Sequence, residues 1–113
     1  MKQMDLVWVK LPFSNLEDSK FRPAVIVSNN GYNSQSQDVV VCAVTSNLDA
    51  KRYSILLGQE NLSVGNLPIK SRVRADKIMQ VEKGLIVRSF AALDESTFDA
   101  LVAELVRLVK PNK

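Results

Sequence analysis

The sequence predicts a mainly β domain, a small antiparallel barrel or sandwich with one C-terminal helix packed on it. Three observations predict this. Short, β-branched apolar runs recur from Leu6 to Val87. Pro, Gly, Asn and Ser punctuate them, and these residues stop strands rather than helices. After Asp94 the apolar spacing changes: Phe98, Leu101, Val102, Leu105, Leu108 and Val109 fall on one face of a helix.

Leu6–Leu11 reads as strand one, carrying the aromatic Trp8, and Pro12 ends it. Residues 13–20 are a polar connection long enough to move. In Phe21-Arg22-Pro23-Ala24-Val25-Ile26-Val27-Ser28-Asn29 an arginine and a proline stand directly before a pure apolar run. Proline donates no ladder hydrogen bond, so Pro23 is expected to open strand two. It also biases Arg22 towards extended backbone, at the mouth of a core strand. Residues 29–37 are turn-rich, with room for one helical turn. Asp38–Thr45 is strand three, apolar enough to be central, and it closes on Thr45-Ser46-Asn47.

Tyr53–Leu57 is strand four, ended by Gly58, and residues 58–70 read as a long loop. Ser71–Lys77 alternates small or apolar residues with charged ones, the pattern of a half-exposed strand. The pattern shifts at Ile78-Met79-Gln80-Val81, which predicts a bulge or bend near Asp76-Lys77. Gly84 marks a turn, and Leu85–Val87 a short last strand. Asp94 is the expected N-cap of the helix, Leu93 and Phe98 its hydrophobic staple, and Pro111 its stop. The apolar stripe reads as core packing or a dimer seam.

The 113 residues make one domain, 1–113, with a single core. At 46% apolar and 24% charged residues, the composition is that of an ordinary globular protein and disorder throughout is not expected. No apolar run approaches the ~20 residues of a membrane span, and Met1-Lys2-Gln3-Met4-Asp5 does not begin a signal peptide, so a cytoplasmic protein without a membrane partner is expected. The lone Cys42 cannot form an internal disulfide and reads as a core residue. With no histidine and no cysteine cluster, neither a metal site nor a cofactor is expected. A net charge of +3 and a pI near 9.2 suit an acidic partner or nucleic acid.

Strand ends carry the candidate chemistry. If strands two and three are antiparallel neighbours, the start of one lies beside the end of the other, and Arg22 meets Thr45. A guanidinium and a hydroxyl facing one cleft can bind a phosphate and stabilise a pentacoordinate phosphorane. RNA carries its own nucleophile in the 2′-OH, so such a site needs neither a metal nor a nucleophilic side chain. Asp76 is the nearest carboxylate candidate for a base. Lys70, Arg72, Arg74 and Lys77 form a basic stripe, with Arg72 and Arg74 on one strand face. Each feature also has a plain structural reading: a solvated arginine, a hydroxyl bonding its own backbone, a solvated strand face. Few aromatics are available to stack on bases: Phe13 and Phe21 flank the 13–20 connection, while Trp8 and Phe98 read as core, so the stacking signal is weak.

Asp5-Leu6-Val7-Trp8-Val9 followed by Phe21–Asn29 resembles the opening of MazF/PemK-type toxins of type II toxin–antitoxin systems, with their Arg-Pro-apolar run-Ser-Asn signature. Val39 to Thr45-Ser46 is similar to the family's apolar strand ending in Thr-Ser, and Ser71–Ile78 to its later strand. The resemblance spans nearly the whole chain. It implies an SH3-like antiparallel barrel of the MazF/PemK/CcdB kind with a C-terminal helix, usually a homodimer. It implies a metal-independent endoribonuclease that cuts single-stranded RNA at short sequences, leaving a 2′,3′-cyclic phosphate and a 5′-OH. It further implies an acidic antitoxin as partner, with operator DNA reached only through the antitoxin complex.

Carried onto this sequence, the family's catalytic pair falls on Arg22 and Thr45. The RNA-binding positions are Phe13, Lys20, Ser46, Asn47, Ser71, Arg72, Arg74, Asp76 and Lys77. Three features depart from the family pattern: Ser19-Lys20-Phe21 stands where many members have a glycine before Arg-Pro, the 12–21 loop is short, and Met79 replaces a frequent basic residue. The rival expectation is a non-catalytic barrel toxin or interaction module that binds a protein target such as DNA gyrase.

Overall fold

The computed structural model describes residues 1–12, 19–50 and 52–112. Seven strands form one antiparallel sheet: β1 (Asp5–Pro12), β2 (Ser19–Ile26), β3 (Asp38–Thr45), β4 (Ser54–Leu57), β5 (Leu62–Gly65), β6 (Ser71–Glu82) and β7 (Ile86–Leu93). Their spatial order is β4-β6-β3-β2-β1-β7-β5, and the sheet curls into a half-barrel. A short helix, α1 (Asn30–Gln35), follows β2, and the long helix α2 (Glu95–Val109) closes the chain by packing on β4 and β6.

Strands β1, β2 and β3 are buried on both faces because alternate residues feed two separate cores. Leu6, Val25, Cys42 and Val44 join Leu57, Val73, Leu93, Phe98 and Leu101 in the core beneath α2. Val7, Val9, Ala24, Ile26, Val39 and Val41 join Val81 in the other. The central place expected for strand three is the one it occupies.

Strand β6 turns the sheet's corner. Its pairing with β3 runs from Asp38–Glu82 to Cys42–Ile78, then jumps to Val44–Val73. One residue of β3, Ala43, therefore stands against four of β6, Arg74 to Lys77. The expected bend near Asp76-Lys77 is this irregularity. On either side of it, odd-numbered β6 residues serve different cores: Val73 and Ala75 one, Met79 and Val81 the other.

Helix α2 starts as expected, with the Asp94 carboxylate accepting the Thr97 amide at 2.8 Å and Leu93 and Phe98 buried together. The single apolar stripe divides, however. Phe98, Leu101 and Leu105 pack on the core, while Val102, Val106 and Val109 are exposed, Val109 by 77%.

Other expectations are corrected. Pro23 does not open β2; it lies inside it, opposite Trp8 of β1. The pairing with β3 begins only at Ala24, so at Pro23 the strand has one neighbour and the missing N–H costs no ladder bond. Strand β7 runs to Leu93 rather than stopping at Val87, because β1 pairs along its whole length despite the Arg88-Ser89 step and two alanines. The loop expected over 58–70 contains β5, held against β7. Gly65 makes that contact possible: its φ is +85°, and a Cβ there would sit 2.4 Å from the Phe90 carbonyl oxygen.

Candidate functional site

The antiparallel pairing of β2 and β3 sets Ala24 opposite Ala43. Continuing that register by two residues brings Arg22, near the start of β2, level with Thr45, the last residue of β3. Both line one open cleft of about 550 Å³. Ser46, Ser71, Arg74 and Lys77 also line it, so six of the sequence-predicted site residues share a single concavity.

Two of the hydroxyls are held by local structure. The Thr45 Oγ1 accepts the Asn47 amide at 3.2 Å, a turn of the kind strand-end hydroxyls make. That bond uses a lone pair and leaves the hydroxyl proton to donate into the cleft. Ser71 is buried and donates its Oγ proton to the Ile69 carbonyl at 2.8 Å. Arg22 is exposed at the rim.

Three predicted residues do not line the cleft. Asn47 turns back to accept the Asp49 amide at 2.9 Å. Arg72 does not share a role with Arg74: its Nε donates to Ser54 Oγ on β4 at 3.1 Å. Asp76 reaches the site only through Arg74, whose Nε and Nη2 meet its two carboxylate oxygens at 2.9 and 2.6 Å. Those hydrogen bonds hold the Asp76 carboxyl below the usual carboxylate range and raise the Arg74 guanidinium in turn. Phe13 and the side chain of Lys20 lie outside the described residues.

The rest of the lining was not among the predicted site residues. Trp8, expected in the core, is half-buried on the cleft wall and stacks on Phe90, with ring centroids 4.9 Å apart. Phe21, Pro23 and Ile69 complete the apolar rim. Met79 occupies the floor beside Arg22 and Ala43. The signal that could have found Trp8 is its place opposite Pro23, where β2 has no second neighbour to cover it.

The cleft thus combines three cations, three hydroxyls and two aromatic rings. Cys42, by contrast, is buried beneath the sheet, and burial, with the Asp76 charge in second place, pushes its thiol up to about 12. No group of three His, Cys, Asp or Glu side chains that could hold a metal ion occurs among the described residues. None of their helices is long and apolar enough to cross a membrane.

Solved structures share this fold. An endoribonuclease from a mycobacterial species, in complex with its cognate antitoxin, superposes with a TM-score of 0.81 at 20% identity, covering 100% of this chain and 99% of that one. A chain of the MazE-MazF complex from Deinococcus radiodurans gives 0.81 at 18% identity, covering 99% and 98%. MazF from the same organism gives 0.77 at 20% identity, covering 98% and 97%. No curated protein matches the chain. The model of the PemK-like, MazF-like toxins of type II toxin–antitoxin systems matches residues 2–109, which takes in the whole sheet and all of α2, and the chain belongs to that family.

Proposed function

We propose that the protein is a toxin endoribonuclease that cuts single-stranded RNA in the Arg22–Thr45 cleft without a metal ion. The observation that carries the reading is the convergence of Arg22, Thr45, Arg74 and Lys77 on one concavity in a chain of this family. The RNA 2′-OH gives its proton to solvent as its oxygen attacks the adjacent phosphorus, the bond from phosphorus to the 5′-oxygen breaks, and that oxygen takes up a proton from solvent. The products are a 2′,3′-cyclic phosphate and a 5′-OH.

In this reading Arg22 neutralises the charge that builds on the phosphorane and donates a hydrogen bond to the leaving 5′-oxygen. Thr45 donates its hydroxyl proton to a non-bridging oxygen. Arg74 and Lys77 hold flanking phosphates, and Asp76 fixes the Arg74 fork. Ser46 and Ser71 line the strand's path, and Phe13 and Lys20 add further RNA contacts. Asp76 is ill-suited as the base, since its paired carboxylate binds protons too weakly at neutral pH. An acidic antitoxin complements the same cations and blocks the cleft. The protein acts in the cytoplasm as a homodimer, and operator DNA is bound only through the antitoxin complex.

The test is incubation of the purified protein with long single-stranded RNA, with and without EDTA, followed by mapping of fragment ends. Cleavage in EDTA with cyclic phosphate ends is the expected result. Intact RNA under both conditions, or cleavage at the wild-type rate by Arg22→Ala, would overturn the proposal.

A further inference from the structure

We propose that Phe21 is a stacking platform for the nucleobase beside the phosphate held at Arg22, supplying affinity and register rather than base identity. The proposal rests on the ribonuclease reading above.

Phe21 is 55% exposed and lines the cleft. Single exposed apolar residues are common and need no explanation on a convex surface. This one lies in a concavity, next in sequence to Arg22 and in company with Arg74 and Lys77. Aromatic faces set among cations suit a single nucleic-acid strand, whose phosphates meet the charges and whose bases meet the rings.

The β1–β2 register explains why the ring is presented. Trp8 pairs with Pro23 and Lys10 with Phe21. Side chains alternate along a strand, so Phe21 and Pro23 share a face with Trp8. Phe21 and Trp8 are then diagonal neighbours, ~7–8 Å apart at Cα. Trp8 is fixed against Phe90, while Phe21 has Pro23 behind it and stiff backbone beneath. Alternation sends the Arg22 and Phe21 side chains to opposite faces of β2, yet both line the open cleft at this strand end, so Arg22 can hold a phosphate while Phe21 takes an adjoining base. The cationic rim favours this occupant over an apolar peptide side chain, which would leave the charges unanswered.

The sole tryptophan, Trp8, supplies the readout. Once the cut site is mapped, a single-stranded RNA spanning it is made with a 2′-deoxy sugar at the attacking position, so that it binds uncut. Its binding is followed by quenching of Trp8 fluorescence. Phe21→Ala is expected to weaken binding by about tenfold or more, the range for losing one base stack, and Phe21→Tyr to restore it. The difference between wild type and Phe21→Ala is expected to vanish on an RNA made abasic at one of the two nucleotides flanking the scissile phosphate. The proposal is overturned if Phe21→Ala binds as well as wild type, or if its deficit persists on both abasic strands. Retained RNA affinity with loss of an acidic antitoxin peptide also overturns it, and assigns Phe21 to protein docking. Wild-type cleavage abolished by Arg22→Ala keeps the ribonuclease reading whatever Phe21 does. A wild type that neither cuts nor binds RNA ends both.

Discussion

Arg74 and Asp76, two residues apart on one face of β6, are locked by a two-point ion pair at 2.9 and 2.6 Å. A forked pair of this kind fixes the guanidinium plane as well as its charge. Asp76→Ala is therefore expected to leave the protein folded and to lower kcat/KM for RNA by about tenfold, through KM, as Arg74 loses its orientation. Because the Asp76 pKa is lowered on folding, the pair is intact above the ordinary carboxylate range and is lost as the pH falls below it. A wild-type activity profile on the acid side, compared with that of Asp76→Ala, checks this.

Arg22→Ala is expected to reduce the single-turnover cleavage rate by ~10²-fold or more, the scale of losing one transition-state donor. Arg22→Lys keeps the charge and loses the fork, so an intermediate rate is expected. Melting curves should be unchanged for both, since Arg22 is exposed.

Thr45 offers a finer test. Thr45→Val removes the hydroxyl while keeping the shape, and cleavage is expected to fall by about tenfold or more. Thr45→Ser keeps both the proton donor and the acceptor used by the Asn47 amide, and most of the activity should survive. Rate measurements under saturating RNA separate the two.

Cys42 governs alkaline stability. Its thiol titrates near 12 in the folded protein against an ordinary 9.0. The folded state thus favours the neutral thiol. Stability from this preference is fully present below pH 9 and is lost as the unfolded thiol ionises, by about 1.4 kcal/mol per pH unit above that. Denaturant titrations at pH 8 and 10 should show the loss in wild type and a smaller one in Cys42→Ala.

Gly65→Ala is expected to destabilise the fold by about 3 kcal/mol, combining left-handed backbone strain with a clash. The added Cβ would approach the Phe90 carbonyl oxygen to 2.4 Å and the Ala91 Cα to 2.6 Å. Phe90 carries the Trp8 ring, so a shift in tryptophan emission should accompany the lower melting temperature.

Much of this architecture was legible because local signals agreed with one another. Apolar runs bounded by strand breakers located β1 to β4, and a cap, a staple and a terminal proline located α2. The meeting of Arg22 and Thr45 needed only the assumption that neighbouring strands run antiparallel. What failed depended on relations between distant segments. Pro23 could sit inside β2 because β3 stops pairing one residue earlier. The largely exposed β5 sends only Leu62 against the core and exists through its pairing with β7. Period-two reasoning put Arg72 and Arg74 together, but Ser54 takes one and Asp76 the other, a choice made by partners that the strand pattern does not reveal.

The corner of β6 ties architecture to chemistry. Arg74 and Lys77 begin and end the four-residue stretch of β6 that stands against Ala43 alone of β3. Removing or adding one residue there would do more than reposition a cation: it would rotate the remainder of the strand by one place and trade core side chains for surface ones. Rim positions such as Phe21 and Ile69 carry no such constraint, since their side chains can change without disturbing the count.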